Sequence, residues 1–180
     1  MVERCVREWG GLRIDTRDWP VVLMDLPERR IEDSHLHEGL ACLEQLLSDC
    51  GKSGTKTYQI TDLTRMREVA PASQRKYAAE WTRRTLTLQR LASLGGANVT
   101  PSAILRGLIT AIHWLQPPAM PTTFFATREE AYREAIRVFD AAGLPLPADV
   151  RARIDPAFHA PARATEICTD DHESDRRLLR

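Results

Sequence analysis

Hydrophobic and polar positions along this chain alternate between two periods. Val21-Val22-Leu23-Met24-Asp25-Leu26 is a nearly unbroken apolar run, the pattern of a strand covered on both faces. Leu12-Arg13-Ile14 precedes it across Asp15 to Pro20 and reads as an antiparallel edge strand. From about Asp33 the period changes to that of a helix, with Leu36, Leu40, Leu43, Leu46 and Leu47 as its buried stripe, Asp33 or Ser34 as its cap and Gly51 as its end.

The same alternation recurs three times. Thr57-Tyr58-Gln59-Ile60-Thr61 reads as a second central strand that stops at Asp62. A helix follows from about Pro71 to Leu94, with Ala78, Trp81, Leu88 and Ala92 inward, and Gly95-Gly96 is expected to close it. Ala97-Asn98-Val99 is a short strand leading into Thr100-Pro101, which reads as a cap followed by proline at the first helical position, and that helix reaches about Gln116 and is apolar almost all round. After Pro117, Pro118 and Pro121 comes the strand Thr122-Thr123-Phe124-Phe125, then the capping box Thr127-Arg128-Glu129-Glu130 and a last helix burying Tyr132, Ala135, Ile136 and Phe139 up to Gly143.

This order predicts an α/β domain over residues 1–143, a mostly parallel sheet of four to five strands with an antiparallel edge strand and four helices. Beyond Leu144 proline and charge replace the apolar period, so residues 144–180 read as a disordered C-terminal tail. With 180 residues and 43% hydrophobic content the chain suits one ordinary core.

Composition adds three points. No apolar run approaches the ~18 residues of a membrane span, and the first thirty residues carry charge throughout, so the expected location is the cytoplasm, with no membrane partner. Cys5, Cys42, Cys50 and Cys168 lack metal spacing, and Cys42 and Cys50 would lie about 12 Å apart on one helix, too far to join, which fits reduced thiols. The net charge of zero conceals a gradient: residues 51–106 carry 10 basic and 3 acidic side chains, while residues 1–50 carry 6 and 11.

Asp62-Leu63-Thr64, Leu105-Arg106-Gly107 and Thr110-Ala111-Ile112-His113-Trp114-Leu115-Gln116-Pro117-Pro118, together with the element order, resemble small bacterial STAS-like proteins, relatives of the anti-sigma factor antagonists, over about residues 20–143. The resemblance implies a non-enzymatic regulatory or signalling module acting through protein contacts, without a cofactor. It also implies a phosphorylation switch where the second central strand meets the next helix. That stretch offers Thr64 and Ser73, although Asp62-Leu63-Thr64-Arg65 departs from the family's Asp-Ser-Ser-Gly. A phosphate there would add ~1.5 to 2 negative charges beside Arg65 and Arg67. The partner expected is another protein, bound through the strand-end loops, the helix after Asp62, or both, with Asp62, Arg65, Arg67, Lys76, Arg83 and Arg90 as contact candidates.

Two rival sites come from the residues themselves. Ser102, Arg106, Thr110 and His113 fall along one helical face behind Thr100, near free amides that suit an anion or a small ligand. Lys76, Arg83 and Arg90, seven apart on one helix, form a row that could meet nucleic acid phosphates. Other motifs reduce to structure: Gly51-Lys52-Ser53 has Leu46 where a P-loop needs its first glycine, His35 and His37 diverge on a helix, and Asp170-Asp171-His172-Glu173 reads as a solvating run. No metal site and no nucleophile elbow are expected. Asp25 and Asp62 fall near the carboxyl ends of adjacent strands, where open sheets bind ligands, and turn or capping duty accounts for both.

Overall fold

The computed structural model describes residues 2–115 and 117–155, less the side chains of Ile112 and Leu115. It is an α/β fold with one six-stranded mixed sheet and five helices among these residues. The sheet runs in chain order: β1 (Val6–Trp9), β2 (Leu12–Asp15), β3 (Val21–Asp25), β4 (Thr57–Asp62), β5 (Ser93–Val99) and β6 (Thr122–Phe125). β1, β2 and β3 pair antiparallel, and β3 through β6 are parallel.

Consecutive parallel strands joined by crossovers of one hand place their connecting helices on one face. α1 (Asp33–Ser53) and α2 (Ala72–Ala92) accordingly share a core with β2 and β3, built from Ile14, Val22, Leu40, Leu43, Leu47, Cys50, Trp81 and Ala92. α3 (Ala103–Leu115) follows β5. α4 (Arg128–Ala141) returns across the opposite face, where Ala131, Ala135, Ile136 and Phe139 meet Val21, Leu23, Tyr58, Ile60, Ala97 and Val99. β3 thus feeds two cores, Val21 and Leu23 on the α4 side and Val22 on the other, which is why it reads as a nearly continuous apolar run, whereas β4 alternates, with Tyr58 and Ile60 on the α4 side and Thr57, Gln59 and Thr61 between them.

Six strands replace the four to five expected, because Val6-Arg7-Glu8-Trp9 joins the edge. Its residues are mostly exposed, so it carries no burial signal, and what creates it is the Gly10-Gly11 turn. Both glycines have positive φ (54° and 89°), the two-residue hairpin geometry that registers Trp9 against Leu12. A Cβ on Gly10 would lie 2.2 Å from His35 Nδ1.

Gly95 and Gly96 do not close α2. The helix passes directly into β5 at Ser93, and both glycines lie within the strand. A Cβ on Gly95 would come within 3.2 Å of the Tyr58 ring and Pro121 O, and one on Gly96 within 3.2 Å of Gln59 O, so close packing and not helix termination selects them.

Three helix ends also move. α1 continues through Gly51 and stops at Gly54, which takes the left-handed conformation at φ 69°. Its N-cap position is Glu32, without a side-chain cap, while Asp33 Oδ1 accepts from Gln74 Nε2 at 2.7 Å and ties α1 to α2. α3 begins at Ala103, so Pro101 is not its first residue. Thr100 is buried, its amide donating to Phe125 O at 2.9 Å and its hydroxyl accepting the Ser102 amide at 3.2 Å ahead of the helix, while Ser102 Oγ accepts the Leu105 amide within the first turn at 3.3 Å. The Thr127 capping box forms as expected.

Order also continues past Gly143. Leu146 and Val150 are buried, α5 (Ala148–Ile154) adds a fifth helix, and Arg151 and Arg153 pair with Asp140 and Asp18. The expected tail therefore loses residues 144–155, and its remainder, 156–180, lies outside the described residues, as do Cys168 and the Asp170-to-Glu173 run.

Candidate functional site

The carboxyl edge of the parallel strands concentrates the buried charge. Asp25 ends β3 and Asp62 ends β4, directly opposite in register, and both point to the α4 face. Arg13, the partner of Asp25 on β2, and Asp15 share that face. The α4 capping box sets Arg128 as the first residue of the helix, over these strand ends.

Arg128 bridges the two carboxylates. Its Nη2 donates to Asp25 Oδ1 at 2.5 Å, and its Nε donates to Asp62 Oδ2. Asp62 Oδ1 also accepts from the Thr64 amide at 2.7 Å and the Thr64 hydroxyl at 2.6 Å, closing a turn over the end of β4. Arg13 Nε lies 3.3 Å from Asp25 Oδ2 and Arg13 Nη2 3.2 Å from Asp15 Oδ2, with Arg17 completing the row on Asp15. The Arg13 Nε contact is an ion pair without hydrogen-bond geometry, since that nitrogen has no hydrogen-bond partner among the described residues.

The two carboxyls are pushed in opposite directions. Burial dominates at Asp25 and raises its pKa, with Arg128 and Arg13 opposing and the neighbouring Asp62 charge adding to the rise. Burial also acts against ionisation of Asp62, but the Thr64 hydroxyl and amide together with Arg128 outweigh it and hold that carboxyl below its usual range. Asp62 is 2% exposed and Arg128 41%, so the arginine forms a half-solvated lid over two buried acids. Each carboxylate is already engaged, and the arrangement locks α4 and the Thr64 turn to the sheet.

On the other face of the same edge the surface opens. An apolar concavity of about 390 Å³ lies between the β3–α1 and β4–α2 loops, lined by Leu26, Pro27 and Ile31 from the first and Met66, Val69 and Pro71 from the second. Arg29, Arg30 and Arg75 rim it together with Glu28 and Glu68. Val69 is an exposed large apolar side chain.

The residues singled out from the sequence fall in three places. Asp62 is the buried anchor just described, while Thr64, Arg65 and Arg67 are exposed on the turn, with Arg67 paired to Glu28 at 3.5 Å, and Ser73 is exposed in the first turn of α2. The Thr64 hydroxyl is thus committed to a carboxylate, whereas Ser73 lies at the positive end of a helix, the favourable place for a phosphate. Lys76, Arg83 and Arg90 are exposed along α2, with Lys76 4.0 Å from Glu80.

The stripe on α3 does not converge. Ser102 Oγ caps its own helix, Thr110 Oγ1 donates to Arg106 O at 2.8 Å, and Arg106 reaches back to Thr100 O at 3.4 Å. His113 departs from them, its ring 6.3 Å from that of Phe124, and burial lowers its pKa. His37 stacks near Tyr77 at 3.8 Å between centroids, apart from His35. Cys5, Cys42 and Cys50 are free thiols.

Sequence reasoning missed Arg128 as the bridge between Asp25 and Asp62, although the Thr127 capping box fixes it at the helix start and both acids were placed at strand ends. It also missed the exposure of α3, where Ile104 is 83% and Trp114 82% exposed. Among the described residues no group of three or more histidine, cysteine or carboxylate side chains is placed to hold a metal, and no helix is long and apolar enough to cross a membrane. No protein-family model, curated protein or solved structure matches the chain.

Proposed function

We propose that the chain is a STAS-like regulatory module of the bacterial cytoplasm that works by docking another protein at the carboxyl edge of its sheet, without a reaction of its own. The observation that carries this reading is the apolar concavity between the β3–α1 and β4–α2 loops, with exposed Val69 at its mouth and arginines on its rim. An element order of antiparallel hairpin, then strand and helix in alternation, also agrees with it.

The chemistry of the concavity defines the partner. An apolar side chain would fill the space beside Met66 and Val69, and acidic neighbours would meet Arg29, Arg30 and Arg75. Phosphorylation regulates that contact in this reading, and Ser73 is the better placed acceptor because its phosphate would face the α2 amino end near Arg75 instead of the Asp62 carboxylate.

The test is affinity capture of the tagged chain from its native cells, comparing the unaltered protein with Val69→Asp and with a neutralised Arg29, Arg30 and Arg75 triple variant. A stoichiometric protein recovered with the unaltered chain and lost with both variants supports the proposal. A partner retained by both, or a bound nucleic acid released by salt and by neutralising Arg83 and Arg90, overturns it.

A further inference from the structure

Two cysteines from different elements meet in a pocket of about 240 Å³ between the β1 edge of the sheet and α1. Ile14 belongs to the core that α1 shares with the sheet, and Arg7 on β1 is registered against Ile14. Arg7 and, two residues earlier, Cys5 therefore face α1. Cys5 is held opposite Thr16, its amide donating to the Thr16 hydroxyl at 3.0 Å and its carbonyl accepting the Thr16 amide at 2.9 Å. Cys42 stands on the other wall, on the α1 face that also brings Leu46 and Asp49 to the pocket at helical spacing.

Arg7 connects the two sulfurs. Its Nη1 donates to Cys42 Sγ at 3.6 Å, while Cys5 Sγ lies 3.9 Å from the Thr16 hydroxyl. The guanidinium pKa is raised first by its hydrogen bond and charge interaction with Cys42 and then by those with Cys5, so one cation addresses both thiols. Glu3 lies 3.6 Å from the other terminal nitrogen, Nη2, and leaves Nη1 to the sulfur.

The third thiol of this region gives the contrast. Cys50, eight residues further along α1, is 1% exposed, and burial pushes its thiol up to about 11. Cys5 and Cys42 are half-buried and line the pocket. A thiol reacts as its thiolate, a form that a neighbouring arginine stabilises. A disulfide needs Cβ atoms ~3.5–4.5 Å apart. Within the sheet β1 is held by β2 on one side alone, so it is free to close on α1.

We propose that Cys5 and Cys42 are a hydroperoxide-reactive thiol pair, in which Cys42 takes the oxidant and Cys5 converts it to a disulfide joining β1 to α1. The Cys42 thiolate attacks one oxygen of hydrogen peroxide, forming an S–O bond as the O–O bond breaks, and the departing hydroxide takes the proton that Cys42 released and leaves as water. The Cys5 thiolate then attacks the Cys42 sulfur, forming the S–S bond as the S–O bond breaks, and the second hydroxide leaves as water with the Cys5 proton. Two thiols are oxidised and one peroxide is reduced to two waters. In a reducing compartment such a bond is transient and serves sensing, not static stability. The pair does not rest on the docking reading.

Hydrogen peroxide added to the reduced full chain tests this, with peptide mass mapping as the readout. The expected product is a Cys5–Cys42 disulfide within one chain, formed at a rate independent of protein concentration, while Cys50 stays a free thiol. In Cys5→Ser, dimedone traps a sulfenic acid on Cys42. Arg7→Gln, which keeps a donor but removes the charge, slows disulfide formation by about fivefold or more. Near-ultraviolet circular dichroism checks that each variant is folded, and Cys5→Ala replaces Cys5→Ser should that one fail. No disulfide, a disulfide between chains, one joining either thiol to Cys50 or Cys168, no trapped Cys42, or an unchanged rate in Arg7→Gln each overturns the assignment.

Discussion

Replacing Asp62 with asparagine removes the charge that holds three elements together. Asp62 is 2% exposed and receives the Thr64 amide, the Thr64 hydroxyl and Arg128. Breaking a fully buried ion pair typically costs ~3–5 kcal/mol. Arg128 is 41% exposed and keeps Asp25 at 2.5 Å, so part of that cost is recovered through water and the remaining partner, and about 2–3 kcal/mol is expected. At about 2–4 °C per kcal/mol for a chain of this size, the melting temperature falls by roughly 4–12 °C.

The pH dependence separates this from a packing effect. The Asp62 carboxyl is depressed in the folded protein, so its stabilisation is present above the unfolded value of about 3.9 and is lost as pH falls through the lower folded value. The gap between unaltered protein and Asp62→Asn in urea unfolding should stay constant from about pH 8 to pH 5 and narrow below about pH 4. Asp25 is shifted the other way, so the folded state holds its proton more tightly and ionisation at neutral pH costs stability. Asp25→Asn is therefore expected to cost less than Asp62→Asn at pH 7. An Asp62→Asn variant within ~0.5 kcal/mol of the unaltered chain, or a gap independent of pH down to the acid transition, would refute the reasoning.

Trp81→Ala opens a cavity between α2 and the sheet and should cost ~3–5 kcal/mol by urea unfolding, and a variant as stable as the parent would contradict its place in that core. Leu146→Ala should cost ~2–5 kcal/mol because Leu146 belongs to the α4 core, whereas a true tail position would show almost none. Gly10→Ala places a Cβ 2.2 Å from the His35 ring at positive φ, so a melting temperature lower by several degrees is expected, and no change would contradict the hairpin geometry.

Local signals account for most of the architecture. The apolar run at Val21–Asp25, the leucine stripe of α1 and the Thr127 capping box each depend on neighbours within a few residues, and each forms where the pattern places it. The failures share a different physics. Gly95 and Gly96 carry the signature of a helix stop, but their role is set by Tyr58, Gln59 and Pro121, which approach from other strands. α5 gives one turn or two of weak period after a proline-rich stretch, and only its packing against α4 makes Val150 and Leu146 core residues.

The site follows the same division. Asp25 and Asp62 could be placed at strand ends from the sequence, because strand termini are local. That one arginine 66 positions beyond Asp62 joins them required the tertiary return of α4. The α3 stripe was read from spacing alone, and spacing does not report that Ser102 and Thr110 satisfy their own helix.

The most direct test of docking at the carboxyl edge is a photo-crosslinking amino acid at position 69, with position 51 on the far end of α1 as control, irradiated in native cells. The account predicts one discrete adduct with another protein at position 69, none at position 51, and loss of the adduct when Arg29, Arg30 and Arg75 are neutralised. A chain that crosslinks equally from both positions, or from neither, would contradict it.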